Sequence, residues 1–208
     1  LRMSRGLGDV YKRQPDMIAL TGDIVDEDHD SISSVEDLLK GIKDLAPIYF
    51  VTGNHELTSL AATQYQELLA LFQKYGVTDL DNDSVKLKKG GQSITLYGRQ
   101  YFSQYLTDSL PIASDKDFDI LLYHGSDNFK EIAPYHYDLI LSGHAHGGIV
   151  RLPIWGGIFG NDGTFFPEYA GGEYTIGDAT LISSRGLGDA SIPRFNNPPE
   201  LVVIKLNP

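Results

Sequence analysis

Four stretches of the chain repeat one pattern. In each, four or five mostly apolar residues run into a small or turn-forming residue and then into a side chain able to bind a metal or move a proton. They read "MIALTGD" (17–23), "IYFVTGNHE" (48–56), "FDILLYHG" (118–125) and "YDLILSGHAH" (137–146). Runs apolar on both faces suit strands covered on both sides, as in parallel or mixed α/β sheets, whose ligands gather beyond the strands' carboxyl ends. Each stretch therefore predicts a buried strand ending in a functional loop. Between them, Ser31 to Leu45 places Val35, Leu38, Leu39 and Ile42 at helical spacing, and Leu57 to Tyr75 does so with Leu60, Leu68, Leu69, Leu71 and Phe72. From Val77 to Tyr101 the pattern shortens to alternating pieces around Gly90-Gly91, which reads as a hairpin turn, so the fold is not purely parallel. Residues 147–166, rich in glycine and aromatics, read as a long loop beside a site, with alternating strands following near Tyr174 to Ile182 and at 200–206. "SRGLGD" occurs at 4–9 and again at 184–189, but six residues recurring once do not define a repeat architecture.

Composition sets the limits on this picture. A chain of 208 residues, 41% of them hydrophobic, suffices for one domain with a substantial core. Lys and Arg total 17 against 28 Asp and Glu, a formal charge of -11, whose field repels nucleic acid and anionic surfaces; any anion handled here needs local cations. With no cysteine, disulfides, thiolate nucleophiles and sulfur-ligated metals are excluded. No apolar run approaches the roughly 18 residues of a membrane span, and no secretory signal is recognisable, so the expected location is cytoplasmic or peripheral to a membrane.

Within the four loops, Asp23, Asn54, His55, His124, His144 and His146 supply oxygen and nitrogen without sulfur, a donor set suited to Mn, Fe or Zn. Glycines before Asp23, Asn54 and His144 permit the tight turns that aim short side chains at one centre. Two metals roughly 3.5 to 4 Å apart can clamp a phosphate, acidify a water and stabilise both attacking and leaving oxygens. Bound dications also invert the local field of an acidic protein.

"GDIVD", "GNHE", the lone His124 after a strand and "GHAH" resemble, in order, the second to fifth motifs of the calcineurin-like metallophosphoesterases. The continuation "SGHAHGGIVRLP" and "SSRGLGDASIPRFNNPPELVVIKL" resembles a bacterial branch that includes membrane-associated phosphohydrolases and UDP-2,3-diacylglucosamine pyrophosphatase-like proteins. The resemblance covers nearly everything from Pro15 onward and implies an α/β fold, a sandwich of mixed β-sheets flanked by helices. It implies a hydrolase of phosphodiesters, pyrophosphates or phosphomonoesters that attacks with metal-bound hydroxide, on a small-molecule or lipid-linked substrate. In that family Asp23 would bridge two divalent ions, with Asn54, His124 and His144 completing the second site and His146 contributing to the first. His55 would donate a proton or hydrogen bond to the phosphate or leaving group, with Asp26 orienting it; Glu56 is left as support.

One departure stands against these matches. The family's first motif, Asp-x-His at the end of the first strand, is absent: the residues two before the six histidines are Glu27, Gly53, Leu122, Pro134, Ser142 and His144. Before Pro15 stands "LRMSRGLGDVYKRQ", polar, basic and without a clear strand pattern. The expectation is a single domain over 15–208, incomplete at its start and lacking its first strand, behind a non-native leader over 1–14. A missing N-terminal segment would then have carried any membrane-surface anchor, the centre would hold one ion rather than two, and the alternative reading is a catalytically silent metal-binding fragment. His136 and His29 read as surface or packing residues. Trp155, Phe159, Phe165 and Phe166 either line a groove for an acyl or aromatic group or pack on the domain.

Overall fold

The computed structural model describes residues 2–4, 15–25, 31–101, 106, 110–114, 117–160, 163–188 and 193–207. Thirteen strands appear among the described residues. In chain order they are β1 (Arg2–Ser4), β2 (Ile18–Leu20), β3 (Ile48–Phe50), β4 (Val77–Asp79), β5 (Ser84–Lys89), β6 (Gln92–Arg99) and β7 (Phe118–Tyr123). Then follow β8 (Leu139–Ser142), β9 (Val150–Leu152), β10 (Gly156–Phe159), β11 (Gly172–Ile176), β12 (Ala179–Ser183) and β13 (Val203–Lys205). The helices are α1 (Ser31–Ile42), α2 (Asn54–Thr58), α3 (Ala62–Tyr75) and α4 (Phe129–Ile132).

Two sheets face each other. One is wholly parallel, β2-β3-β4; the other has six strands in the order β11-β12-β8-β7-β6-β5, parallel at its centre and antiparallel at both edges. Successive side chains of a strand point to opposite faces, and that alternation builds three layers of core. Tyr49 and Val51 from the small sheet meet Leu96, Ile120, Leu122, Leu139, Leu141 and Ile182 from the large one. On the far side of the small sheet, Ile48 and Phe50 bury under Val35 and Leu39 of α1 and Leu68 and Phe72 of α3, with the Phe50 and Phe72 rings 4.7 Å apart. On the far side of the large sheet, Leu121, Tyr123 and Ile140 pack against Phe129, Ile132, Tyr137 and Tyr169. Each buried leucine or phenylalanine contributes about 1.5–3 kcal/mol. The order from outside to outside is thus helices, small sheet, large sheet, and a short helix with its loops: the mixed-sheet sandwich expected.

The four ligand-bearing runs become β2, β3, β7 and β8, and the Gly90-Gly91 turn joins β5 to β6 with both glycines at positive φ, 58° and 82°. Three local expectations change. The predicted helix over 57–75 divides, because its first part starts earlier, at Asn54, where Glu56 fixes the turn, while α3 begins separately with the Ala61 N–H donated to Gln64 Oε1 at 3.0 Å. The stretch over 147–166 is not all loop: β9 and β10 pair as a hairpin, a short ladder that glycine-rich sequence conceals. Residues 2–4, which lack an alternating apolar pattern, pair with 203–205, since backbone ladder bonds need none. No helix among the described residues is long and apolar enough to cross a membrane.

Candidate metal centre

The loops after β2, β3, β7 and β8 converge beyond the strand ends, and the first two are held together by one carboxylate. Glu56, 2% exposed, accepts the backbone N–H groups of Gly53 (2.7 Å) and Asp23 (2.9 Å) on Oε2, and those of Ile24 (2.8 Å) and Val25 (3.3 Å) on Oε1. One side chain so satisfies four amide donors from two loops that would otherwise bury them unpaired. Burial pushes the Glu56 carboxyl upward, the Gly53 amide pulls it back, and the charge of Asp23 raises it again; the net direction is up. Space between the loops is closed to larger residues. A Cβ on Gly53 would stand 2.2 Å from Asp23 Oδ1, and one on Gly22, at φ 86°, would stand 2.5 Å from the Gly53 nitrogen. The two glycines that end "TG" in "TGD" and "TGN" therefore permit the loops to touch.

Asp23 is held on one oxygen and left open on the other. Its Oδ1 accepts the His55 backbone N–H at 2.9 Å; its Oδ2 is buried, 2.9 Å from His124 Nε2 and 3.8 Å from His55 Nε2. His124, 1% exposed, turns its Nδ1 to the Thr21 carbonyl at 2.6 Å, an acceptor only, so Nδ1 carries the hydrogen and Nε2 presents a lone pair inward. His144 Nδ1 lies 3.2 Å from that Nε2 and 3.0 Å from Asn54 Oδ1, while its Nε2 faces the Tyr101 hydroxyl at 3.3 Å. The Tyr101 hydroxyl can donate or accept, so His144 has two tautomers: with Nε2–H donated to Tyr101 the inward Nδ1 is a lone pair, and with the hydrogen on Nδ1 it donates to Asn54 Oδ1 or His124 Nε2. In the first of these, carboxylate, carboxamide oxygen and two imidazole nitrogens point electron pairs at one another in a largely buried space. Asp23, His124 and His144 offer ligand atoms all within 4.8 Å of one another.

In that tautomer the cluster is repulsive until a cation or an extra proton enters it, and the donor set fits a divalent ion with oxygen and nitrogen preference. The contact between Asp23 Oδ2 and His124 Nε2 becomes a hydrogen bond only when His124 is doubly protonated. In that state the two support each other. Burial pushes the His124 pKa down, but the hydrogen bond and charge of Asp23 outweigh it and raise the net value. Burial likewise raises Asp23, and His124 more than offsets it, leaving that carboxyl below its ordinary value. A proton on His124 therefore takes the place that suits a dication.

The remaining candidates divide. His55 stands at the rim, its Nδ1 3.4 Å from Ser59 Oγ one turn along the chain. Asp26, expected to orient it, lies outside the described residues, as does His29. His146 is not in the ligand group: its Nδ1 sits 3.3 Å from Arg194 Nη2, a donor, so that lone pair is engaged. Burial, with Arg194 next, pushes its pKa down to about 4. Asp23, His144 and His146 all hold positive φ (51°, 65° and 47°), conformations a non-glycine residue adopts at a cost and which cluster at functional sites. Sequence reading missed Tyr101, which braces His144 and stands edge-on to the His124 ring at 5.2 Å, and the Thr21 carbonyl. Neither carries a local signal, because a contact 43 residues away leaves no periodicity.

A mixed-sheet sandwich with an oxygen-and-nitrogen ligand cluster beyond its strand ends is the arrangement of an α/β metal-dependent hydrolase. The profile of the calcineurin-like phosphoesterases matches residues 5–148, and the chain belongs to that family, whose members are hydrolases of phosphate esters that use divalent metals. Among curated proteins it is 29% identical over 205 residues to the uncharacterized metallophosphoesterase YkuE of Bacillus subtilis, covering 95% of this chain and 70% of that one. It is 26% identical to the phosphodiesterase YaeI of Escherichia coli, covering 94% of this chain and 72% of that one. A shorter match, 33% over 94 residues, covers 41% of this chain and 28% of the UDP-2,3-diacylglucosamine pyrophosphatase LpxG of Chlamydia trachomatis. Among solved structures, the sulfate thiohydrolase SoxB of Thermus thermophilus in complex with glycerol superposes with a TM-score of 0.51 at 16% identity, over 80% of this chain and 33% of that one, a likeness of fold.

Two outcomes are expected. Glu56→Ala leaves four buried amides without an acceptor and lowers unfolding free energy by about 3–5 kcal/mol in a denaturant titration; a loss under about 1 kcal/mol contradicts the clamp. Because Asp23 strengthens proton binding at His124, protons compete with metal above the ordinary imidazole value of 6.5. Metal affinity measured by titration calorimetry falls as pH drops from about 8 to about 6 and recovers on reversal; a flat profile excludes His124 as a ligand.

Proposed function

We propose that this chain hydrolyses a phosphate ester or anhydride at a centre where Asp23, Asn54, His124 and His144 hold a divalent ion of Mn, Fe or Zn. The observation that carries the reading is the convergence of their oxygen and nitrogen ligand atoms at 2.9–3.2 Å. An ion bound there polarises a phosphoryl oxygen and acidifies water. The chain's own residues do the rest. Asp23, fixed by the His55 amide on one oxygen, keeps the other free for the centre. Thr21 sets the tautomer of His124, and Tyr101 braces His144 at its Nε2. His55, at the rim and 3.8 Å from Asp23, is placed to donate a proton to the leaving oxygen, with Ser59 at its other nitrogen; in this proposal Asp26 adds to that orientation. Residues 15–208 carry every side chain in the scheme.

The substrate class follows the relatives' names: a phosphodiester, a pyrophosphate such as a lipid-linked one, or a phosphomonoester. A second reading, a metal-binding chain without turnover, is favoured by the missing Asp-x-His and by His146, whose lone pair faces Arg194. His146 could serve a second ion only after leaving Arg194.

Turnover of bis(p-nitrophenyl) phosphate with Mn separates the two. The enzymatic reading expects activity that disappears with bound metal in Asn54→Ala and His124→Ala. His55→Ala should keep its metal and lose about a hundredfold to ten-thousandfold in kcat. Full metal loading of the unaltered chain without any turnover establishes the silent reading instead.

A further inference from the structure

The hairpin that follows the histidine loop carries apolar side chains into solvent. Its turn, Pro153-Ile154-Trp155, joins β9 to β10, and Ile154 is 102% exposed, with Trp155 at 69%. Phe165 (72%) and Phe166 (56%) flank it: Phe165 packs on Phe159 of β10 with rings 5.4 Å apart, and the Phe166 N–H donates to the Ile158 carbonyl at 2.9 Å. From 152 to 160 the sequence has no charged residue.

Two facts make this patch a poor candidate for mere packing. Ile154 holds φ at 76°, a conformation that β-branched residues avoid and glycine adopts freely. A side chain that is both strained and fully solvated stabilises nothing within the fold, so what it serves lies outside the chain. Its form also selects the partner. A side chain exposed beyond its reference value stands on a projecting tip, not on a flat apolar face, and a projecting tip enters a soft phase without needing a matching pocket. Tryptophan beside it, with an apolar body and one polar N–H, suits the boundary between lipid and water.

We propose that the Ile154-Trp155 tip, flanked by Phe165 and Phe166, inserts into the surface of a lipid bilayer. The net charge of -11 gives no general attraction to anionic lipid, so the contact is hydrophobic and zwitterionic membranes suffice. The hairpin is rigidly tied to the metal loop: Arg151 donates to the Gly147 carbonyl at 2.6 Å, and Gly148 and Gly157 leave no room for a Cβ between them. Docking the tip therefore sets the ligand cluster near the membrane surface. The consequence for substrate, a phosphate ester presented at that surface, rests on the hydrolase reading above; the docking itself does not.

Trp155 is the chain's single tryptophan and serves as the probe. Adding phosphatidylcholine vesicles to the whole chain, in the presence of chelator so that no hydrolysis is read, should shift its emission to the blue. Brominated acyl chains should quench it, and high salt should leave the effect unchanged. Ile154→Gly should weaken vesicle binding about tenfold or more while leaving thermal stability equal or higher, since it removes the strained residue. The proposal is overturned if emission ignores vesicles or if Ile154→Gly binds as well as the parent. A blue shift that grows with protein concentration in the absence of lipid also overturns it, in favour of a second copy of the chain.

Discussion

The site depends on one buried carboxylate and the four amides it accepts. Glu56 ties the turn after β2 to the turn after β3, and three of its donors lie 31–33 residues away in sequence. Amide hydrogen bonds to an ionisable acceptor are stronger than neutral ones, and breaking them inside the protein exposes no water to replace them. The same contact caps α2 through Gly53, so the helix, the position of Asp23 and the height of Asn54 follow from a single interaction. Gly22 and Gly53 make it possible by letting the two turns approach closely.

On the other half of the centre, position comes from the sheet. β7 and β8 run parallel, and the Gly143 N–H donates to the His124 carbonyl at 3.0 Å, locking the two histidine loops to each other. The tautomer of His124 is then imposed from outside the cluster by the Thr21 carbonyl, and the Tyr101 hydroxyl braces His144 at its Nε2. The fold thus gathers oxygen and nitrogen ligand atoms from four loops and keeps them together by burial. Left-handed backbone at Asp23 and His144 is consistent with a structure that holds strain where chemistry is placed.

Sequence patterning revealed what is local. The apolar runs of β3, β7 and β8 are buried on both faces, while β2, at the edge of its sheet, is half-buried; each run announced a strand, and the residue after it marked a site loop. The glycine pair at 90 and 91 announced its hairpin for the same reason. What stayed hidden is what tertiary contact creates. Glu56 read as an accessory because its partners are remote. The start of α2 at Asn54 was invisible without that clamp. The β9–β10 hairpin was concealed by glycines that pair through backbone alone. His146, two residues from a ligand, reads as equivalent to it until the turn at Gly147 and Gly148 and the approach of Arg194 set the two apart.

The central claim is that two imidazole nitrogens, one carboxylate and one carboxamide share a single dication. Pulsed electron paramagnetic resonance of the Mn-loaded chain reads those nitrogens directly. The account requires couplings from two imidazoles, one disappearing in His124→Ala and the other in His144→Ala, with both retained in His136→Ala. Bound Mn without nitrogen coupling, or couplings indifferent to those two substitutions, would contradict it.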